Sequence, residues 1–252
     1  MTAVTDHLRT DLSNSRFEEV DFSGSRFRNV YFQDTVIRGA WLQRVEIDGH
    51  LDGVTVNGVD VGPLIEAELD RRDPDRTLLR PTDAEGFRRA WEVVVRRWDA
   101  AVQRARALPE DLLHERVDDE WSFIETLRHL VLATDAWVLR AVLGDPAPYH
   151  PLGLVHTEMP ADTPAVPRDT GARPSLDEIL AVRTQRMATV ARVLHELTDE
   201  QLDEMTQPVL EPGYPTSESF PVRRCLSTVV KEEWLHREYA ERDLAHLERQ
   251  SA

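Results

Sequence analysis

Cysteine is almost missing: Cys225 is the one thiol in 252 residues, which excludes an internal disulfide. That usage suits a reducing compartment, and the residue reads as packing rather than reacting. Lysine is equally scarce, with Lys231 alone among 30 basic residues, a bias toward arginine that fits a GC-rich coding genome. No run reaches the roughly 18 consecutive apolar residues that a membrane span needs. The opening MTAVTDHLRT lacks the basic start and apolar stretch of a secretion signal. Positive charge is in deficit as well. A formal net charge of -16 would repel nucleic-acid phosphates and anionic lipid, so neither nucleic acid nor membrane is expected as a partner. Together these absences predict a cytoplasmic protein. Its 41% apolar and 30% charged content is ordinary for a globular chain, long enough for one large domain or two smaller ones.

What is present begins with a period of five. Leu12, Phe17, Phe22, Phe27, Phe32, Ile37, Leu42 and Ile47 recur at that interval, and Ser15, Val20, Ser25, Val30, Thr35, Ala40 and Val45 stand two positions before a large residue. Neither helix nor flat strand has this period. The spacing resembles the pentapeptide-repeat family, whose chain turns a square coil of five-residue sides with both residue sets pointing inward. Eight units make about two coils, and repeat arrays need stacked neighbours to bury their core. The resemblance therefore implies a structural appendage that leans on the rest of the protein.

Val54 to Val61 reads as a hairpin, because Asn57-Gly58 lies between β-branched residues and both tolerate positive φ. A short helix follows over Leu64 to Arg71, and the proline- and charge-rich stretch near 72–82 marks a domain boundary. Beyond it each helix start carries a cap. Thr82 with Glu85, Ser122 with Glu125 and Ser175 with Glu178 fit the capping box. Helices are expected at about 83–107, 122–143, 175–197 and 221–249, which predicts a four-helix bundle. Two long connections, 144–174 and 207–220, would cover an end of it and carry substrate contacts. The fold class predicted is α+β: residues 1–72 as repeat coil, hairpin and short helix, then residues 82–252 as the bundle.

Chemistry concentrates on Cys225 to Leu247. At about 100° per residue, Cys225, Val229, Glu232, His236, Ala240 and Leu247 share one stripe. A carboxylate on a core-facing stripe costs several kcal/mol, roughly, unless a cation meets it. Glu232 and His236, four apart, can converge on one ion. A third ligand is sought among nine histidines. His7, His50, His114, His150, His156, His195 and His246 lie in loops or near ends. His129 lies mid-helix, with small residues Ala133 and Ala136 along its side leaving room for an ion. The competing reading pairs Glu232 with Arg183 or Arg186 and leaves His236 merely hydrogen-bonded. Asp243 and Tyr239 share the stripe's neighbourhood and receive no catalytic role. Trp234 points outward on this wheel, toward the coil or a second chain, which leaves a homodimer open.

The ordered pair WSFIETLRHLV at Trp121 to Val131 and EEWLHREYAERDL at Glu232 to Leu244 resembles the DinB-like superfamily of metal-binding four-helix bundles. In that superfamily a histidine of the second helix and an H-x-x-x-H pair of the last helix hold a divalent metal. Here Glu232 replaces the first histidine of the pair, a departure shared with the mycothiol-dependent maleylpyruvate isomerase branch. The resemblance covers about two thirds of the chain. It implies His129, Glu232 and His236 as ligands of a divalent metal, zinc by the donor set. It also implies transfer of a small-molecule thiol, mycothiol given the arginine bias, to an electrophile, or isomerisation through a thiol adduct. Two other classes share the donor set: a non-haem iron oxygenase, and a non-catalytic binding module with a structural metal.

Overall fold

Every fifth residue of the amino-terminal segment is left-handed. Asn14, Glu19, Gly24, Asn29, Asp34, Gly39 and Arg44 all have φ between 50° and 74°. Asn, Asp and Gly tolerate this region best, and they fill five of the seven positions. The period of five is thus written into the backbone as a turn in each repeat. Asp11 and Asp21 accept from the amides of Ser13 and Ser23 at 2.8 Å, closing two of those turns. The computed structural model describes residues 7, 8, 10–156 and 159–251, and the chain forms two compact units that divide between His50 and Leu51.

Within the first unit the large residues touch one another more than they are buried. Phe17, Phe22, Phe27 and Phe32 meet edge to face at 5.7–5.8 Å between successive centroids. Each nevertheless stays 46–59% exposed, against the expectation that they form an inward core. Two coils supply too few stacked layers to cover them. No strand is formed among the described residues of this unit.

The second unit opens with the hairpin. β1 (Thr55–Val56) pairs antiparallel with β2 (Val59–Asp60), and Asn57 and Gly58 both take positive φ, as the two-residue turn requires. Helix α1 (Gly62–Arg72) carries Pro63 in its first turn, and a 3-10 turn over Pro74–Leu79 leads to α2 (Ala84–Arg106). The α2 cap differs from the one expected. Asp83, not Thr82, accepts from the Gly86 amide at 2.6 Å, because its carboxylate reaches the first turn.

Helix α3 (Phe123–Thr134) carries the Ser122–Glu125 capping box and continues into a π-helical turn over Asp135–Arg140. Helix α4 (Leu176–Glu196) carries the Ser175–Glu178 box. A short α5 (Asp199–Leu202) precedes α6 (Val222–Ser251). The four long helices α2, α3, α4 and α6 enclose one core that includes Phe87, Trp98, Leu127, Ile179 and Leu244. Helix α3 is central: all of its residues except Glu125 are buried, the pattern of a helix surrounded on every side. Among the described residues no helix is long and apolar enough to cross a membrane.

Trp234 is not outward. It is 4% exposed, with the Arg237 guanidinium 4.0 Å from its ring centroid and Arg97 at 5.8 Å. The buried centre also holds an ion pair: Arg183 of α4 donates to both carboxylate oxygens of Glu233 at 3.1 and 2.8 Å, over the Trp98 ring. Removing one partner of such a pair strands the other charge, at a cost of about 3–5 kcal/mol. Glu233→Ala should lower the unfolding free energy by about that much in urea titration, and replacing Arg183 by Met in the same chain should recover most of the loss.

Candidate metal centre

Two helices supply three side chains. On α6 the four-residue spacing stacks Glu232 and His236 one turn apart, and His236 Nε2 lies 3.1 Å from Glu232 Oε2. From the middle of α3, His129 Nε2 reaches the same oxygen at 3.3 Å. The three candidate ligand atoms all lie within 4.8 Å of one another, the one such group of His, Cys, Asp and Glu found among the described residues. Around a tetrahedral zinc with ligands at about 2.1 Å, neighbouring donors would sit roughly 3.4 Å apart. The two contacts to Glu232 Oε2, at 3.1 and 3.3 Å, are close to that.

Tautomer decides what the site offers. His129 Nδ1 lies 3.1 Å from the backbone carbonyl of Leu154, which can only accept, so the proton sits on Nδ1 and Nε2 keeps its lone pair. Burial is the largest influence on this imidazole and pushes it below its ordinary value, toward the neutral form. Burial also works to raise the Glu232 carboxyl, but the two imidazoles beside it hold it well below the usual carboxylate range. With its Nδ1 proton turned to Leu154, His129 presents Nε2 to the Glu232 carboxylate, a contact that a shared cation, a proton or a metal ion, must bridge. A histidine fixed by a backbone carbonyl is the usual orientation of a metal ligand.

The surroundings close one side and leave another open. The His129 side chain is 8% exposed, whereas Glu232 keeps 33% and His236 19%. Trp121 covers both imidazoles, its centroid 4.5 Å from His129 and 5.6 Å from His236. It directly precedes the Ser122 cap and follows Asp118 and Asp119, both with positive φ. Tyr239 stands edge-on to His236 at 5.9 Å.

The arginine alternative for Glu232 does not form. Arg183 pairs with Glu233, and Arg186 donates to Asp135 at 2.8 Å. Asp243 pairs with Arg242. Cys225 is fully buried, and burial pushes its thiol up to about 11, which suits packing rather than nucleophilic attack. Two other histidines are engaged otherwise: His150 Nδ1 accepts from the Leu152 amide, and His246 meets Gln250. Trp121 and the Leu154 carbonyl escaped the sequence reading. Trp121 opens the WSFIETLRHLV motif and precedes a capping serine, which marks the residue but not its role, and a backbone carbonyl leaves no signal.

The DinB superfamily matches residues 63–240, and pentapeptide repeats match residues 9–46 in 8 copies. The chain belongs to the DinB superfamily. Comparisons with curated proteins and with solved structures find no match. The DinB superfamily match spans His129, Glu232 and His236, and membership is compatible with a metal-binding enzyme.

Both titrating groups make the metal-free fold acid-sensitive, in two windows. His129 is held neutral in the fold, so below its ordinary value of 6.5 the unfolded chain binds more protons and stability falls as pH drops. Glu232, held low, adds a further loss as pH falls below 4.5. Urea midpoints of metal-free protein should decline between pH 6.5 and 5, and His129→Gln should flatten that decline. An equal slope in the variant would place the proton uptake elsewhere.

Proposed function

We propose that His129, Glu232 and His236 hold a divalent cation, zinc by preference of the donor set, and that the site acts on a small-molecule thiol. The observation that carries this reading is the His129 nitrogen, fixed as an electron-pair donor by Leu154 and aimed at the Glu232 carboxylate. When bound, such a cation would strip the proton from a thiol whose free pKa is about 8.5 and present it as a thiolate.

The chain's own residues set the conditions for that chemistry. Glu232 contributes a negative charge that offsets the cation. His129 stays a neutral donor because burial disfavours its protonation. Trp121 shields the imidazoles from one side, and the exposed flank of Glu232 is where a ligand enters. The reaction inferred is transfer of the thiol to an electrophilic small molecule, or isomerisation through a thiol adduct, with mycothiol as the thiol and the cytoplasm as the location. Cys225, buried and protonated, would not compete with the substrate thiol.

Purified protein should contain close to one divalent ion per chain by elemental analysis. Thiol added to cobalt-substituted protein should produce a sulfur-to-cobalt absorption band, whereas iron content with oxygen consumption would point to an oxygenase instead. His236→Ala should weaken cobalt binding by more than about 100-fold, beyond the effect of losing an outer-shell partner. The helical circular dichroism of that variant should be unchanged.

A further inference from the structure

Tyr214 is held more firmly than a loop residue needs. Its amide donates to the Tyr149 hydroxyl at 2.7 Å, and the same hydroxyl donates to its carbonyl at 2.7 Å. Its ring stands edge-on between Trp137 at 6.0 Å and His156 at 5.9 Å. The flanking chain is fixed by Arg140, which is buried and donates to the carbonyls of Val209, Glu211 and Pro215 at 3.2, 2.5 and 3.2 Å. Gly213 makes this possible: a Cβ there would collide with the Tyr149 hydroxyl and lie 3.0 Å from the Arg140 guanidinium carbon. Yet the Tyr214 hydroxyl takes no hydrogen-bond partner among the described residues.

Its packing links it to the helix that carries His129. Tyr214 packs on the cluster of Leu132, Met159 and Val166, and Leu132 lies one turn along α3 from His129. His156, against its ring, is two residues from the Leu154 carbonyl that orients His129. Burial first, and then the negative charge of Glu232, push the phenol above its ordinary value, so it keeps its proton at neutral pH and remains a donor. The three convergent side chains at the centre present electron pairs. A substrate that carries or develops negative charge on oxygen would need a donor that they do not supply.

We propose that the Tyr214 hydroxyl donates a hydrogen bond to an anionic oxygen, of a carboxylate or an enolate, on the ligand that enters beside His129, Glu232 and His236. This rests on the cation reading above. The test uses full-length cobalt-substituted protein and acetate as the probe, followed through the cobalt d–d bands. Tyr214→Phe keeps the ring and removes only the hydroxyl. It should weaken acetate binding about tenfold, the usual effect of losing a hydrogen bond to a charged group. Cobalt affinity and the acetate-free spectrum should stay the same, which a merely structural role for the hydroxyl would not predict alongside weaker acetate. Equal acetate affinity in the two proteins would overturn the proposal, as would cobalt bands in the wild type that acetate does not perturb. Failure of the wild type to bind cobalt would instead bring down the cation reading, and this inference with it.

Discussion

A single carbonyl sets the chemistry of the centre. Leu154 O takes the proton-bearing side of His129, and the other nitrogen is left as a donor of electrons. The same segment answers a wider difficulty. Helix α3 is buried on nearly every side yet carries Arg128 and His129 side by side, two polar groups shut away from bulk solvent. An unsatisfied buried donor costs about 1–3 kcal/mol, more when charged. Residues 152–172 resolve both at once: Arg128 donates to the carbonyls of Leu152, Ala172 and Asp169, and the Leu154 amide returns a bond to the Arg128 carbonyl. The loop cannot leave without stranding a guanidinium, so the orientation of His129 is tied to the ordering of a connection whose described residues form no helix or strand.

The second long loop is held by the same physical device. Arg140, at the end of the π-helical turn, collects three carbonyls of residues 209–215, and the pairing of Thr206 with Phe220 closes the loop at its base. A planar guanidinium with five donors can satisfy several carbonyls at once, which an ammonium cannot do with the same directionality. The near-exclusive use of arginine in this chain therefore has a structural outlet at these two loops, whatever its genomic origin. Tyr149 joins the two systems, since it lies in the first loop and grips Tyr214 in the second.

How much of this the sequence discloses depends on whether the signal is local. The long helices are legible from Ser122–Glu125 and Ser175–Glu178, because a capping box is a short-range arrangement that the fold reproduces. The hairpin at Asn57-Gly58 is legible for the same reason. Glu232 with His236 follows from helical spacing alone, whereas the mid-helix place of His129 beside Ala133 and Ala136 marks only a candidate, and joining it to a distant helix required the resemblance. Trp234 was misplaced because a wheel drawn for one stripe treats every other face as solvent, while α6 packs its neighbouring face as well, placing Trp234 between Arg97 and Arg237. The exposed phenylalanines fail for the opposite reason. Their period is local, but their burial depends on how many layers stack.

Two adjacent glutamates show how finely the site is specified. Glu232 and Glu233 differ by one residue, about 100° around the helix. That rotation sends Glu233 into the buried Arg183 guanidinium and Glu232 toward His129 and His236. Glu233 is neutralised within the fold, so the charge of the centre is that of Glu232 alone. Under the proposed reading, a divalent cation, one carboxylate and one thiolate sum to zero, the charge state that half-burial penalises least. A third histidine in place of Glu232 would leave the same complex with a net positive charge and favour a further anionic ligand. The carboxylate at position 232 thus favours a singly charged thiolate with a neutral or hydrogen-bonded second substrate, and it explains why an additional donor on an adjoining loop, rather than an additional cation, would complete the site.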